Sequence, residues 1–448
     1  MSVEEKFEED PRWRIRQKCA ECVKGPNLIK TVVIVVCIAV VIQQITVCIY
    51  KLIDVPITTY THFDFNKTLI YPSVTFCREP PYKFDKMREY NLQVHPTYTI
   101  AWQRFDFDNV NLDDLWDNIT YNADDFFLHY GLASEPGSTH VELTETIGFA
   151  LGRCYTLTPK ILSTHATKPL GYSVSLKHTP RDLETSTGGI LPPGYHVYIH
   201  YSKEPFTEVT VYNGGMVDSL YVNVGETLSV KLKVDQYKMI SSNDDPCINQ
   251  ANYSANECTT KYVWDQAVKH AGCSGPWMKT LAPYCRNYTS MRALISEYVS
   301  IYENHSCKIC PRICHSLLYN GFVTDRQRFY FWDSSAKAWS ERGEDAALQT
   351  HLYIYFNSMM VSVYEERYNY DWNLFVSDLG GSVGFLLGLS VIGLMQIFGK
   401  TWRNFIKPFI KCRKTTSAGS VASAATVDVK TVRQHYIEKW SQKNLADQ

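Results

Sequence analysis

Apolar and polar positions divide this chain into two uncharged runs separated by a long region of short, mixed patterns. Thr31–Tyr50 and Leu379–Phe398 each extend for 20 residues without a charge. About 20 apolar residues suffice to cross a bilayer as a helix. Trp372 and Trp402 flank the second run, where aromatic side chains favour the headgroup layer. Basic residues gather before the first run (Lys6 to Lys30) and after the second (Lys400, Arg403, Lys407, Lys411), and such flanks face the cytosol. The pattern therefore predicts a cytosolic tail over 1–30, a transmembrane helix over 31–50 that reads as a signal-anchor, an extracellular domain over 51–373, a second transmembrane helix over 374–398 and a cytosolic tail over 399–448.

Inside the intervening region the period changes. Tyr195, Val197 and Ile199 alternate with His196, Tyr198 and His200, which predicts a strand. Leu228, Val230, Leu232 and Val234 alternate with Ser229, Lys231 and Lys233, a second, half-buried strand. Asn213-Gly214 between them is a turn signal. Leu352–Phe356 and Met360–Tyr364 read as two closing strands. Val263, Trp264, Ala267 and Ala271 share one helix face, with Gly272 as its stop. Met291, Leu294, Ile295, Tyr298 and Tyr302 make another. The region is α+β, with helical period concentrated over 247–314.

Composition narrows the chemistry. A net charge of −1 gives no reason to expect a nucleic-acid partner. Of 14 cysteines, nine lie between the two runs, where disulfides form. Five Asn-x-Ser/Thr sequons, Asn66, Asn118, Asn252, Asn287 and Asn304, lie there too. Cys19-x-x-Cys22 has no second pair to complete a zinc site, and Cys307-x2-Cys310-x3-Cys314-His315 in an oxidising compartment reads as disulfide chemistry, so no metal and no cofactor are expected. Without a Ser/His/Asp arrangement, an HExxH or a phosphate loop, nothing points to an enzyme. Asp106, Asp108, Asp113, Asp114, Asp117, Asp124 and Asp125 crowd one segment. Clustered carboxylates raise one another's pKa and could sense protons; solvated loops and helix starts are the plainer reading. His200 reads as a sheet histidine. Gln43, Gln44 and Thr46 in the first run are expected to face protein. Ser377, Gly381, Gly384 and Gly388 recur at spacings of 4, 3 and 4 and form one stripe on a helix. Such a stripe is either a helix-packing face or a pore wall, and periodicity does not separate the two.

The residues Asp378-Leu-Gly-Gly-Ser-Val-Gly-Phe-Leu-Leu-Gly-Leu-Ser390 resemble the second membrane span of the degenerin/epithelial sodium channel family, which includes the acid-sensing and pickpocket channels. Tyr71-Pro-Ser-Val-Thr-Phe-Cys77, Gly152-Arg-Cys-Tyr-Thr-Leu157, the Gly194–His200 strand with Glu204-Pro205, and Ala282-Pro-Tyr-Cys285 match four further signatures. The resemblance runs from about Gly25 to Gln396. It implies two transmembrane helices flanking a disulfide-rich ectodomain of the palm, finger and thumb type. It implies a homo- or hetero-trimer in the plasma membrane, both termini cytosolic, and Na+ as the permeant ion. Gly388-Leu389-Ser390 falls on the selectivity motif, with Gly381, Gly384 and Gln396 lining the pore. Ser377 occupies a gating position, as do Lys24 and Gly25, although Lys24 replaces the family's histidine. The disulfides carried over are Cys77–Cys154, Cys247–Cys314, Cys258–Cys310 and Cys273–Cys285, which leaves Cys307 over. Leu389 is bulkier than the family's middle residue, and Gln396 and Gly399 replace its inner carboxylates. The alternative is therefore an auxiliary or non-conducting subunit; a two-pass ectoenzyme or adhesion protein is the remoter one.

Overall fold

The computed structural model describes residues 26–54, 56–178, 192–212, 217–242, 245–303, 309–328, 330–340, 349–388, 393, 395, 396, 399 and 400. Lys24, Gly25, Cys19, Cys22, Asn213-Gly214, Asn304, Cys307, Leu389 and Ser390 fall outside them. The chain forms two compact units. One holds the two terminal regions, through Pro56 and from Tyr370 onward; the other is Ile57–Asn369.

The chain enters the described region on α1, Pro26–Asp54. The helix outruns the uncharged run because Asn27, Lys30, Lys51 and Asp54 are tolerated in its end turns. Within Thr31–Asp54 an 18-residue stretch reaches a mean hydropathy of 2.8, and the helix is long and apolar enough to cross a membrane. Thr46 returns its hydroxyl to the Ile42 carbonyl at 2.9 Å, so it is satisfied within its own helix rather than by a neighbour. Gln43 and Gln44 are exposed.

The second unit opens with β1 (Ile57–Phe65), β2 (Leu69–Ile70) and β3 (Ser73–Glu79). Next come α2 (Phe84–Glu89), a 3-10 turn over Thr99–Arg104, α3 (Leu112–Ile119) and α4 (Ala123–Phe126). A run of strands follows: β4 (Phe127–Leu132), β5 (Glu135–Pro136), β6 (Val141–Ile147), β7 (Arg153–Pro159), β8 (Leu162–Ser163), β9 (Tyr172–Lys177) and β10 (Gly194–His200). After α5 (Glu208–Tyr212) come β11 (Val217–Asn223), β12 (Glu226–Lys238) and β13 (Cys247–Ile248). The helical pair is α6 (Ala255–Ala271) and α7 (Tyr288–Glu303). The unit ends with β14 (Arg312–Ile313), β15 (His315–Arg328), β16 (Phe331–Asp333), β17 (Ala338–Ser340) and the 20-residue β18 (Gln349–Tyr368).

Two sheets share one core. The seven-stranded sheet runs β15-β12-β18-β9-β4-β5, with β1 added along the second half of β18. The five-stranded sheet runs β11-β10-β3-β7-β6. Thr350, Leu352, Ile354 and Phe356 alternate inward from β18. Leu352, Ile354 and Phe356 meet Val74, Phe76, Val197 and Ile199 of the other sheet in one cluster. A second cluster joins the α2–α3 region to α6 and α7 and is rich in large rings, with Trp102, Trp116 and Trp277 at 0%, 1% and 2% exposure.

One strand is as expected and one expectation needs correction. β10 is the predicted strand and lies between β3 and β11, with Tyr198 and His200 buried as well as Tyr195, Val197 and Ile199. Its second face packs Tyr198 against Phe206 and the Cys77–Cys154 bridge. The two closing strands are one strand. Its pairing with β12 shifts between Leu232↔Phe356 and Val234↔Val361, so the apparent break near Asn357 is a bulge.

The helical pair forms as its period dictates. Val263 and Ala267 of α6 and Met291, Leu294, Ile295 and Tyr298 of α7 are buried together. Ser254 caps α6 by accepting from the Glu257 N–H at 3.2 Å. Gly272 ends it with φ +73°, a left-handed conformation that glycine adopts without Cβ strain. Disulfides join Cys247 to Cys314, Cys258 to Cys310, Cys273 to Cys285 and Cys77 to Cys154, the pairs the resemblance implies. Cys77 and Cys154 face each other across β3 and β7 with Cα atoms 4.4 Å apart.

The last described helix is α8, Trp372–Leu387. At 16 residues it stops short of the run expected over 374–398. Helical backbone recurs at Gly393, Met395, Gln396, Gly399 and Lys400.

Candidate functional site

Of the residues singled out for ion conduction and gating, Ser377, Gly381 and Gly384 sit on α8 and Gly388 ends it. Asp371 caps it, accepting from the Leu374 N–H at 2.8 Å. The helix packs against α1, and on α1 the contact stripe is Cys37, Val41, Ile45 and Cys48, with Val41 and Cys48 buried. On α8 the half-buried residues are Phe375, Leu379, Ser382, Val383 and Gly384. The small stripe lies mostly to one side of that contact: Ser377, Gly381 and Gly388 are exposed, with Gly384 at its margin. A Cβ built on Gly380, Gly381 or Gly388 would meet nothing within 4 Å. The close approach that small residues permit is thus not used against α1.

Gly388 ends α8 at φ +61°. That conformation strains any residue with a Cβ, so the glycine at the start of Gly388-Leu389-Ser390 is required by its backbone. Gln396, the other described pore candidate, is exposed. The stripe therefore brings Ser377, Gly381 and Gly384 onto one helix face and delivers Gly388 at its end. Helical spacing gave no warning that the helix would stop there.

Asp378 was missed as a site residue. It is the one ionisable side chain between Trp372 and Gly388. Tyr370 Oη donates to Asp378 Oδ2 at 3.2 Å, and Cys48 of α1 lies within hydrogen-bonding reach of the same hydroxyl. Lys51 Nζ stands 5.7 Å from the centre of the Tyr370 ring. A lone carboxylate near the start of an apolar helix was the available signal.

In the second unit the clustered aspartates take helix-start and ion-pair roles. Asp113 and Asp114 occupy the first turn of α3, and Asp124 and Asp125 that of α4. Asp117 pairs with Arg153, which also holds Glu145 at 3.0 Å. Asp125 pairs with Lys83 at 3.0 Å. Asp106 accepts from Asn109, which lowers its pKa, the opposite of what a carboxyl sensor near neutrality requires. His200 is a sheet histidine: it lies 3.0 Å from Thr75 Oγ1 and 2.9 Å from the Glu204 carbonyl. Of the sequons, Asn66, Asn118, Asn252 and Asn287 are exposed.

Two glutamates hold this unit together: Glu204, marked in the sequence only as part of the Glu204-Pro205 signature, and Glu208, which it did not mark. The Glu204 carboxylate accepts from Ser254 Oγ at 2.8 Å and from the Ala255 and Asn256 N–H groups at 3.2 and 3.0 Å, capping α6 from a distant loop. Four residues on, the buried Glu208 carboxylate accepts three backbone N–H groups, from Phe149, Ala150 and Leu151, at 2.6, 2.5 and 2.9 Å. Burial raises its pKa and these three bonds pull it down, with burial the larger effect. Nearby strands carry a second polar link: Ser175 Oγ lies 2.6 Å from His351 Nδ1 and 3.1 Å from His129 Nε2. Among the described residues no cluster of three or more His, Cys, Asp or Glu could hold a metal.

No curated protein sequence matches this chain. Among solved structures, it is similar to a cryo-EM structure of a proton-activated chloride channel, at 7% identity and a TM-score of 0.33 over 83% of this chain and 95% of that one. That similarity is too low for fold or function to be read across. The model of the amiloride-sensitive sodium channel family matches residues 24–399. This match takes in α1, the disulfide-bonded α+β unit and α8 with its terminal glycine, and on it the chain belongs to the amiloride-sensitive sodium channel family, a family of channels and not of enzymes.

Proposed function

We propose that the chain is a subunit of a trimeric, sodium-selective channel of the plasma membrane, with both termini cytosolic, residues 57–369 outside and glycosylated, and a second span that begins with α8 and continues beyond Gly388. The observation that carries this reading is the free small-residue face of α8. α1 covers the opposite side, while Ser377, Gly381 and Gly388 stay uncovered. Three such faces meeting on an axis form a narrow polar passage, because small residues allow close helix approach. Gly388, Leu389 and Ser390 then line its constriction, where carbonyls and hydroxyls replace ion hydration, and Ser377 sits where the closed helices crowd. Gln396 continues the lining. Lys24 and Gly25 take part in gating by family resemblance alone. The stimulus is a ligand, a proton or force.

The test is permeation. Ser390→Cys in a conducting channel makes the current sensitive to external cadmium or changes the sodium-to-potassium ratio. Unchanged permeation and no cadmium effect would place the constriction elsewhere.

A second reading has its own support. Leu389 is bulky, and Gln396 and Gly399 stand where the family has inner carboxylates. Fewer carboxylates weaken cation attraction, which suits an auxiliary subunit. Silence alone, with altered current when a conducting relative is co-expressed, favours that reading.

A further inference from the structure

A cavity of about 740 Å³ opens in the extracellular unit between α6, the Pro205–Val209 segment and the loop Lys279–Ala282. Small-molecule pockets typically span ~300–1,000 Å³. Three features define its chemistry. Its lining is aromatic: Phe206, Trp264, Trp277 and Tyr298. Its rim is charged on both sides. α6 presents Glu257, Lys261 and Asp265 at spacings of four along one face, and Lys279 stands on the facing loop. All four are exposed, and none is in an ion pair among the described residues. Finally, Trp277 Nε1 and Thr280 Oγ1, on two lining residues, are shielded from water and have no hydrogen-bond partner. Buried donors are normally paired.

We propose that this cavity binds a small aromatic zwitterion of amino-acid to dipeptide size. Its ring packs against Trp264 and Trp277. Its ammonium lies near Glu257 and Asp265, and its carboxylate near Lys261 and Lys279. The charge count selects this class. Glu208 also lines the cavity, but its buried carboxylate is held by the Phe149, Ala150 and Leu151 N–H groups, so the four rim charges decide: a purely cationic ligand meets two lysines and a purely anionic one meets two carboxylates, whereas a zwitterion satisfies both pairs. The ammonium also gains from tryptophan faces, which attract cations. The site adjoins the joint made by Glu204 and Glu208, since Pro205, Phe206 and Thr207 form its wall between those two carboxylates. Glu204 is tied to β10 through His200, so an occupant touches a segment bonded to α6, to the loop before β7 and to the five-stranded sheet.

Calorimetry on the full-length chain in detergent tests the proposal with four probes: glycyl-phenylalanine, phenethylamine (ring and cation), 3-phenylpropionate (ring and anion) and glycylglycine (both charges, no ring). Glycyl-phenylalanine binds at least about tenfold more tightly than each of the others, a difference calorimetry separates readily. Trp264→Ala removes that binding. Lys279→Gln weakens glycyl-phenylalanine several-fold and leaves phenethylamine unchanged. Thr280→Val weakens it without lowering the melting temperature, because the hydroxyl it removes bonds nothing in the empty chain. A single-charge probe that binds as tightly as glycyl-phenylalanine overturns the charge assignment. Binding that survives both Trp264→Ala and Lys279→Gln overturns the location, and absence of glycyl-phenylalanine binding overturns the proposal. If Trp264→Ala fails to fold, Lys279→Gln, on an exposed loop, decides alone.

Discussion

Val230, Leu352 and Ile354 in the sheets are 0% exposed, whereas Val33, Ile34 and Val35 in α1 are 54%, 55% and 58% exposed. The residue types are the same and the solvents are not. The Ile57–Asn369 unit turns its apolar groups inward and pins its interior with four disulfides. The terminal unit turns them outward, which suits hydrocarbon. Its outward faces are themselves of two kinds. α1 presents branched aliphatics, which lipid tails solvate well. The uncovered side of α8 presents Ser377, Gly380, Gly381 and Gly388 beside the larger Leu374 and Phe385, and its small residues permit close helix contact.

Cutting a cross-link in the inward-facing unit should have the largest effect. Cys77→Ser removes a buried bridge between paired strands and costs about 2–5 kcal/mol; Cys37→Ser, at a free cysteine in α1, costs less than about 1 kcal/mol. Thermal unfolding in detergent and surface biotinylation compare the two. Equal effects would erase the contrast.

Acid should loosen only the inward-facing unit. Burial lowers the pKa of His200 and of His95 to about 4 from an ordinary 6.5. The unfolded chain takes up these protons first, so the stability they contribute is present above about 6.5 and is lost as pH falls towards about 4. Each accounts for up to about 3 kcal/mol. His351 acts in the same direction, its pKa lowered by burial and then by His129. Glu208 acts in the opposite direction. Its pKa is raised, so the folded unit gains stability as that carboxyl protonates, and this partly offsets the loss. Melting temperature against pH should fall across this window, and less steeply in His200→Gln. An identical slope in that variant would remove His200 from the account.

The small-residue stripe comes next. In the proposed trimer, Ser377→Val or Ser377→Phe overpacks the closed helices by roughly 1–3 kcal/mol per site. The wider open state is strained less, and only such a difference moves a gating equilibrium. A standing inward current follows, measured at matched surface expression. No basal current in either variant, with a conducting wild type, would free Ser377 of the gate. The smallest effect is at Gly388. Ala there meets no neighbour but carries left-handed strain of about 1 kcal/mol. Gly388→Ala should leave expression unchanged and shift the sodium-to-potassium reversal potential. An unshifted potential would show that the α8 terminus does not shape the constriction.

Much of this was legible because it is local or covalent. Helical spacing placed α6 and α7, Gly272 announced a stop, and the cysteine order matched a known staple. What escaped depends on distant partners. β10 is buried on both faces because the Cys77–Cys154 bridge of other strands and Phe206, from the segment that follows, cover its second face. The α6 cap at Glu204 lies 50 residues before the serine it binds. Reading β18 as two strands mistook a bulge for a loop, since pairing with β12 is invisible in β18 itself. On α8, the uncovered stripe and the left-handed Gly388 emerge only once α1 is beside it and the backbone is traced.

The β1–β18 pair has a mechanical consequence. Ile57 is registered opposite Tyr368, and the ladder continues to Phe65 opposite Met360. Two residues separate α1 from β1, and three separate β18 from α8. Both tethers thus leave the Ile57–Asn369 unit side by side, from Cα positions about 5 Å apart. Load travelling along the chain arrives at the helices through this one ribbon. Pulling its strands apart would break a ladder, and sliding them would turn each side chain to the other face. Twist is the compliant coordinate, since paired strands tolerate a wide range of it. The ribbon behaves as a torsion shaft, stiff in tension and shear and soft in rotation.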